Sequence, residues 1–245
     1  MSQLIDYTCY LGDNALILGH RNSEWCGHGP VLEQDIAITN ISLDLIGQAR
    51  NFYQYAASLK GGDTTEDTLA YHRDAAGFHN VLLAEQPRGD WAYTIMRQFL
   101  FSSWQYLLYT SLQHSSDTQL AAIAAKALKE VTYHQRWSAE WVVRLGDGTQ
   151  LSHEKINTAL QSMWPLAAEL FEPAAFELSA PAIDPKTLQQ QWQSQVSEVF
   201  REAELTMPAT VKGNVDGKNG AHTAYLEALL QEMQYLPRTF PNATW

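Results

Sequence analysis

The sequence predicts an all-α protein: a helical bundle with additional helices at its C-terminal end. Three observations predict it. Long segments without proline and with almost no glycine lie between a few sharp breaks. Two of these segments carry apolar residues every three or four positions, which places them on one helix face. No apolar–polar alternation bounded by glycine-containing hairpin turns occurs, so a sheet is not expected.

The breaks are Gly27-His28-Gly29-Pro30, Lys60-Gly61-Gly62-Asp63, Gln86-Pro87-Arg88-Gly89-Asp90 and Gly146-Asp147-Gly148-Thr149, with a longer loop-like stretch from Pro208 to Gly220. Between them, four long helices at about 8–25, 33–58, 91–113 and 118–145 would form the bundle. Three more, at about 152–171, 186–206 and 221–236, would pack outside it. In 33–58 the stripe is Ile38, Ile41, Leu45, Ala49, Phe52 and Ala56. In 118–145 it is Ile123, Ala127, Glu130, His134, Trp137 and Trp141. Asp117 or Thr118 would cap the latter helix by accepting from unpaired first-turn N–H groups. Gly146 would end it through the left-handed conformation. Asp90 would cap a helix beginning at Trp91.

The totals exclude several function classes. The chain has 245 residues, 45% of them hydrophobic and 18% charged, the balance of an ordinary globular protein. It carries 27 acidic and 16 basic residues, a formal charge of -11, and no Lys/Arg cluster. A broad phosphate-binding face is therefore not expected, and nucleic acid is not a predicted partner. Two cysteines, Cys9 and Cys26, are too few for a disulfide framework or a four-sulfur zinc site. Free thiols in a reducing cytosol are expected. The first ten residues lack a basic region followed by an apolar stretch, and no apolar run reaches the ~20 residues that span a bilayer. No membrane association and a cytoplasmic location are the expectations.

The polar residues inside the helices carry the functional question. Asn40, Asp44 and Gln48 lie four apart and form a ridge beside the apolar stripe. Glu130 and His134 fall within the second stripe. Inward carboxylate and imidazole are costly unless paired or metal-bound. Di-iron bundles bind their metals with a Glu from each of two helices and a Glu-x-x-His from each of two others. None of the eight histidines here has Glu or Asp three residues before it. What occurs is Glu-x-x-x-His, as Glu24/His28 and Glu130/His134, and i, i+4 is also the spacing of an ordinary hydrogen-bonded pair. Asp44, Gln48, Glu130 and His134 are therefore expected to form a hydrogen-bonded structural network, with no metal and no catalytic residue in this chain. The rival reading uses Glu24, Asp44, Glu130 and His134 as unusual ligands of a free-standing di-iron oxygenase. Gly-rich phosphate loops, nucleophile elbows and zinc helices are absent. Gly77-Phe78-His79-Asn80 reads either as a ligand-contacting segment or as a helix start with an incidental histidine. Trp245 would dock on a partner or fold back on its own chain.

Four stretches carry a resemblance to a known family: LGDNALILGHRNSEWCGHGPVLEQDIAITNISLDLIGQARNFYQYAA at 11–57, FHNVLLAEQPRGDWAYTIMRQ at 78–98, KALKEVTYHQRWSAEWVVRLGDGT at 126–149 and HTAYLEALLQEMQYL at 222–236. The chain resembles the C subunits of bacterial phenylacetyl-CoA epoxidases, also called ring-1,2-phenylacetyl-CoA monooxygenases, over nearly its whole length. The resemblance implies a single ferritin-like helical domain over 1–245. It implies a homologous A subunit holding a di-iron centre that oxygenates the ring of phenylacetyl-CoA. A small B subunit would join the assembly, and a reductase with flavin and an iron–sulfur cluster would draw electrons from NADPH. This chain would be a structural duplicate without metal, supporting the A subunit in a hetero-oligomer, with a homodimer as the alternative for the chain alone. It also implies that Gly77, Phe78, His79 and Asn80, with Leu178, Ser179 and Ala180, approach phenylacetyl-CoA near the subunit interface. A free-standing acyl-CoA-binding module is the remaining alternative.

Overall fold

The computed structural model describes residues 2–178, 184–209, 216–241 and 243. Four long helices build the centre: α1 (Ser2–Ser23), α2 (Leu32–Lys60), α5 (Trp91–Leu112) and α6 (Thr118–Gly146). They form two antiparallel hairpins, α1/α2 and α5/α6, with α2 lying against α6. The short helices α3 (Glu66–Tyr71) and α4 (Leu82–Glu85) sit in the connection between the hairpins. Helices α7 (Gln150–Ala167) and α8 (Pro185–Glu202) cover α5 and α6 from outside, and α9 (Ala224–Met233) with α10 (Tyr235–Thr239) closes the chain. Among the described residues no strand forms, only one isolated bridge between Asp216 and Ala221.

The caps explain where the helices begin. Asp117 Oδ1 accepts from the Leu120 amide at 2.9 Å, and Asp90 Oδ1 from the Tyr93 amide at 3.0 Å. Each satisfies one of the amide groups a helix start leaves without an intrahelical acceptor. Thr149 caps α7 and Asp184 caps α8, where Pro185 supplies a pre-set φ at the first turn. Helix α1 begins at Ser2, more than a turn before the expected position, because Tyr7 already belongs to the core. Gly146 does not end α6 in a left-handed conformation. It is the last helical residue, Asp147 follows as the cap, and the left-handed region is not used at either position. Glycine is required there for contact: a Cβ would collide with the Ala203 carbonyl oxygen just beyond the end of α8.

Both predicted stripes face inward, and Ile38, Ile41, Leu45, Ala49, Phe52 and Ala56 are all buried. One contiguous apolar cluster runs from α1 to α9. Helix α5 lies at its centre and is covered on nearly every side, so its polar residues Thr94, Arg97, Gln98, Ser102, Ser103 and Gln105 are buried too. Trp91 stacks edge-on with Trp25, Trp137 and Trp141, an arrangement favoured by the ring quadrupole. The indole N–H groups of Trp137 and Trp141 both donate to Gln34 Oε1, at 3.1 and 2.8 Å, which ties α6 to the start of α2. No described helix is long and apolar enough to cross a membrane. Cys9 is buried and Cys26 exposed, both as free thiols.

Candidate functional site

The inward polar residues of α2 and α6 meet along the seam between the two hairpins. His134 Nε2 lies 3.0 Å from Asp44 Oδ2, and Gln48 Nε2 donates to Glu130 Oε2 at 2.9 Å. The set extends to α5, where Gln105 Nε2 donates to Gln48 Oε1 at 3.1 Å and to the Tyr109 hydroxyl at 3.0 Å. The i, i+4 spacing of Asp44/Gln48 and of Glu130/His134 gives two rungs that face each other across the seam. Asn40, the third member of the ridge, is exposed and outside the network.

The seam is graded in burial. His134 and Gln48 are enclosed, whereas the Asp44 side chain is 37% exposed and Glu130 is half-buried. Partial burial raises the Glu130 carboxyl above the usual range, and nearby Asp44 adds to it, while the bond from Gln48 pulls the other way. Two atoms of the seam lack partners among the described protein groups, His134 Nδ1 and Gln105 Oε1.

The donor set decides what this seam can hold. It offers two carboxylates, one imidazole and two amides, already engaged with one another. A di-iron centre of the bundle type takes four carboxylates and two imidazoles. Gln48 and Gln105 are neutral, so they cannot supply the charge that carboxylates give to a metal pair. The residues present do not fit such a centre. Glu24 does not join the set, because its carboxylate is held by Arg21 at 2.7 Å, and His28 Nδ1 faces the Cys26 carbonyl. Among the described residues, no group of three His, Cys, Asp or Glu side chains comes together as a metal site.

A second polar region, built around α1, was not visible in the sequence. Asp13 is fully buried and accepts from the Tyr53 hydroxyl at 2.6 Å, the His79 amide at 2.8 Å and the Arg73 guanidinium. Glu85, also fully buried, accepts from Asn80 Nδ2 and from the Thr223 amide, and faces His222 Nδ1 at 2.7 Å. Glu169 takes the amides of Leu82 and Lys218, and the Lys218 ammonium reaches Glu177 at 2.8 Å. Arg97 is enclosed among neutral acceptors: the carbonyls of Gln86 and Pro87 and the Asn22 amide oxygen. Burial, with Arg21 nearby, pushes its pKa down to about 10.

This region contains the Gly77–Asn80 segment. Phe78 is fully buried beneath the Arg73 guanidinium, 4.1 Å from the ring centre, and Asn80 is fully buried on Glu85. His79 is half-buried against Phe176, with Nδ1 3.0 Å from the Lys218 carbonyl oxygen. Only Gly77 is exposed, and His79 is partly so. A ligand contact by this segment would run through those two positions, not through Phe78 or Asn80. Leu178 is exposed at the rim of a cavity of about 240 Å³ whose wall includes Tyr7, Trp104, Phe171, Leu188 and Lys218. Ser179, Ala180 and Trp245 lie outside the described residues.

Two helical hairpins with facing polar rungs at their centre define an all-α bundle of the ferritin-like type. The chain belongs to the phenylacetic acid catabolic protein family, whose model matches residues 1–245. It is 47% identical over 249 residues to the C subunit of the 1,2-phenylacetyl-CoA epoxidase of Escherichia coli (strain K12), with all of both chains covered.

Proposed function

We propose that this chain is a non-catalytic supporting subunit of a phenylacetyl-CoA epoxidase in phenylacetate catabolism. It rests against a homologous A subunit that holds the di-iron centre, in an assembly with a small B subunit and a reductase carrying flavin and an iron–sulfur cluster and using NADPH. The observation that carries this reading is the seam, whose inward groups are two carboxylates, one imidazole and two amides engaged with one another. Asp44, Gln48, Glu130 and His134 then have a structural role, closing the polar centre of the bundle without a metal.

The outer face of α2 supports the partner half of the proposal. Leu32, Ile36 and Leu43 are between 51% and 72% exposed on one side of that helix, with Val31 beside them and Tyr133 exposed on α6. A row of large apolar side chains in water is the mark of a surface that another protein covers. Permanent partners cover more than ~2,000 Å² with an apolar centre.

Co-expression tests the reading. The A subunit is expected to be poorly soluble alone and soluble with this chain, with iron in the complex following the A subunit. The double substitution I36D/L43D should weaken the complex at least about tenfold while the chain keeps its helical content. Near one iron per isolated chain, or an unaltered complex with I36D/L43D, would overturn the corresponding half.

A further inference from the structure

The segment Asp216–Thr223 crosses over the loop 76–82 and is fitted to it closely. A Cβ on Gly217 would stand 2.7 Å from the Asn80 carbonyl oxygen, and one on Gly220 would stand 2.7 Å from that of Ala76. Gly220 also holds φ at 87°, a conformation that side chains disfavour. The Asp216–Ala221 bridge folds the segment on itself, and the Lys218 carbonyl meets the His79 ring.

His222 fastens this strap, and its surroundings demand a proton. Nε2 lies 2.9 Å from the Phe78 carbonyl oxygen, and Nδ1 lies 2.7 Å from Glu85 Oε2. A neutral imidazole has one N–H and one lone pair, yet both nitrogens face acceptors. The geometry is satisfied only if the His222–Glu85 pair carries one proton more than a neutral histidine beside an ionised carboxylate. Glu85 accepts from Asn80 and Thr223 as well, which favours the imidazolium–carboxylate form. The charged neighbours are Glu85 on α4, Asp13 and Arg21 on α1, Arg73 over Phe78, and Lys218 and Glu169 at the strap's other end. Arg21 donates to the Glu85 backbone carbonyl and Arg73 is paired with Asp13, so neither neutralises the Glu85 carboxylate directly.

We propose that His222 and Glu85 form a proton-held latch: the strap stays seated on the loop 76–82 while the pair keeps its extra proton, and lifts when that proton is lost. Burial alone would favour neutral imidazole, but the bonds to Glu85 and the Phe78 carbonyl outweigh it and raise the His222 pKa. A raised folded value fixes the sign. The latch is fully closed below the ordinary imidazole range and is lost as pH rises through the folded value. In that window strap opening releases one proton, so the opening constant grows about tenfold per pH unit.

Hydrogen–deuterium exchange of the full-length chain between about pH 6 and about pH 9, corrected for intrinsic exchange rates, tests the latch. Protection of 216–223 and 76–82 should fall with that slope in the wild type, while the core of α5 stays protected. His222→Gln should leave these segments weakly protected at every pH. Glu85→Gln is the sharper variant. Its oxygen can keep the Thr223 amide, its N–H groups can donate to Nδ1 and to Asn80 Oδ1, which is unpartnered in the wild type, once the Asn80 amide turns over, and Nε2–H donates to Phe78, so the strap should stay closed with no pH slope. A flat wild-type profile would overturn the latch even if neither variant folds. A slope that survives unchanged in either variant would overturn it too.

Discussion

The α2–α6 seam and the buried charges around α1 are both polar interiors of one bundle, yet they are built on different terms. The seam joins side chains of three long helices through mostly neutral amides, and its two carboxylates, Asp44 and Glu130, reach toward water. The α1 region encloses Asp13, Glu85, Glu169, Arg97 and Lys218 almost completely and uses them to hold loop backbone. The difference teaches that the helices have long apolar faces to hold them besides the seam, whereas the loops add only a few apolar anchors such as Phe78 and Val81 and lean more on the buried charges. A buried charge is costly to strip of its partner, because the remaining group keeps its desolvation penalty. The part-exposed Gln48–Glu130 bond loses less when cut, because water can reach Glu130 in its place.

The largest expected effect breaks the comparison if it fails. Asp13→Ala leaves the Tyr53 hydroxyl without its acceptor and Arg73, which keeps the Leu69 and Gly77 carbonyls, without its counter-charge, and should cost ~3–5 kcal/mol, read from urea unfolding. A cost near that of a surface substitution would mean the α1 region is not the anchor. Thiol labelling gives the next largest effect. Cys26 should react promptly and Cys9 only when the fold opens. Burial, with Asp13 adding, pushes the Cys9 thiol up to about 12, so little thiolate exists at neutral pH. Asp13→Ala should speed Cys9 labelling sharply, and Gln48→Leu should not.

Smaller effects sharpen the seam. Gln48→Leu should cost ~1 kcal/mol, since it removes hydrogen bonds to groups that can turn toward solvent or shift partners. A double-mutant cycle of Gln48 with Glu130 should give a coupling of the same order. A cost like that of Asp13→Ala would erase the contrast. The smallest effect is a pH dependence. The Glu130 carboxyl is raised, so its contribution is present in acid and fades as pH rises through its folded value. Thermal unfolding should show Glu130→Gln gaining on the wild type as pH climbs through that range, with the difference levelling off above it.

The two regions also differ in how far the sequence revealed them. Asp44, Gln48, Glu130 and His134 could be singled out because helical period fixes which way a side chain points, and two stripes on two helices are enough to bring them together. The caps at Asp90 and Asp117 were legible for the same local reason. The role of Gly146 was not, because its neighbour, Ala203, lies 57 positions on in the chain. Asn80 and Phe78 could pass for ligand-contacting groups only because the loop that holds them has no period to read. Nothing local announces that Glu85 meets His222 across 137 positions, or that Arg21 meets the Tyr225 carbonyl across 204.

Sequence by itself determined the helical bundle, the caps and which polar residues turn inward on α2 and α6, since each depends on spacing within one helix or on residue types alone. Tertiary structure decided which loop charges pair, why two glycines are needed within the strap, and that half of the Gly77–Asn80 segment is interior. Those choices depend on where the chain returns after a long excursion. That position is set by packing of the whole core and is recorded in no single stretch of residues.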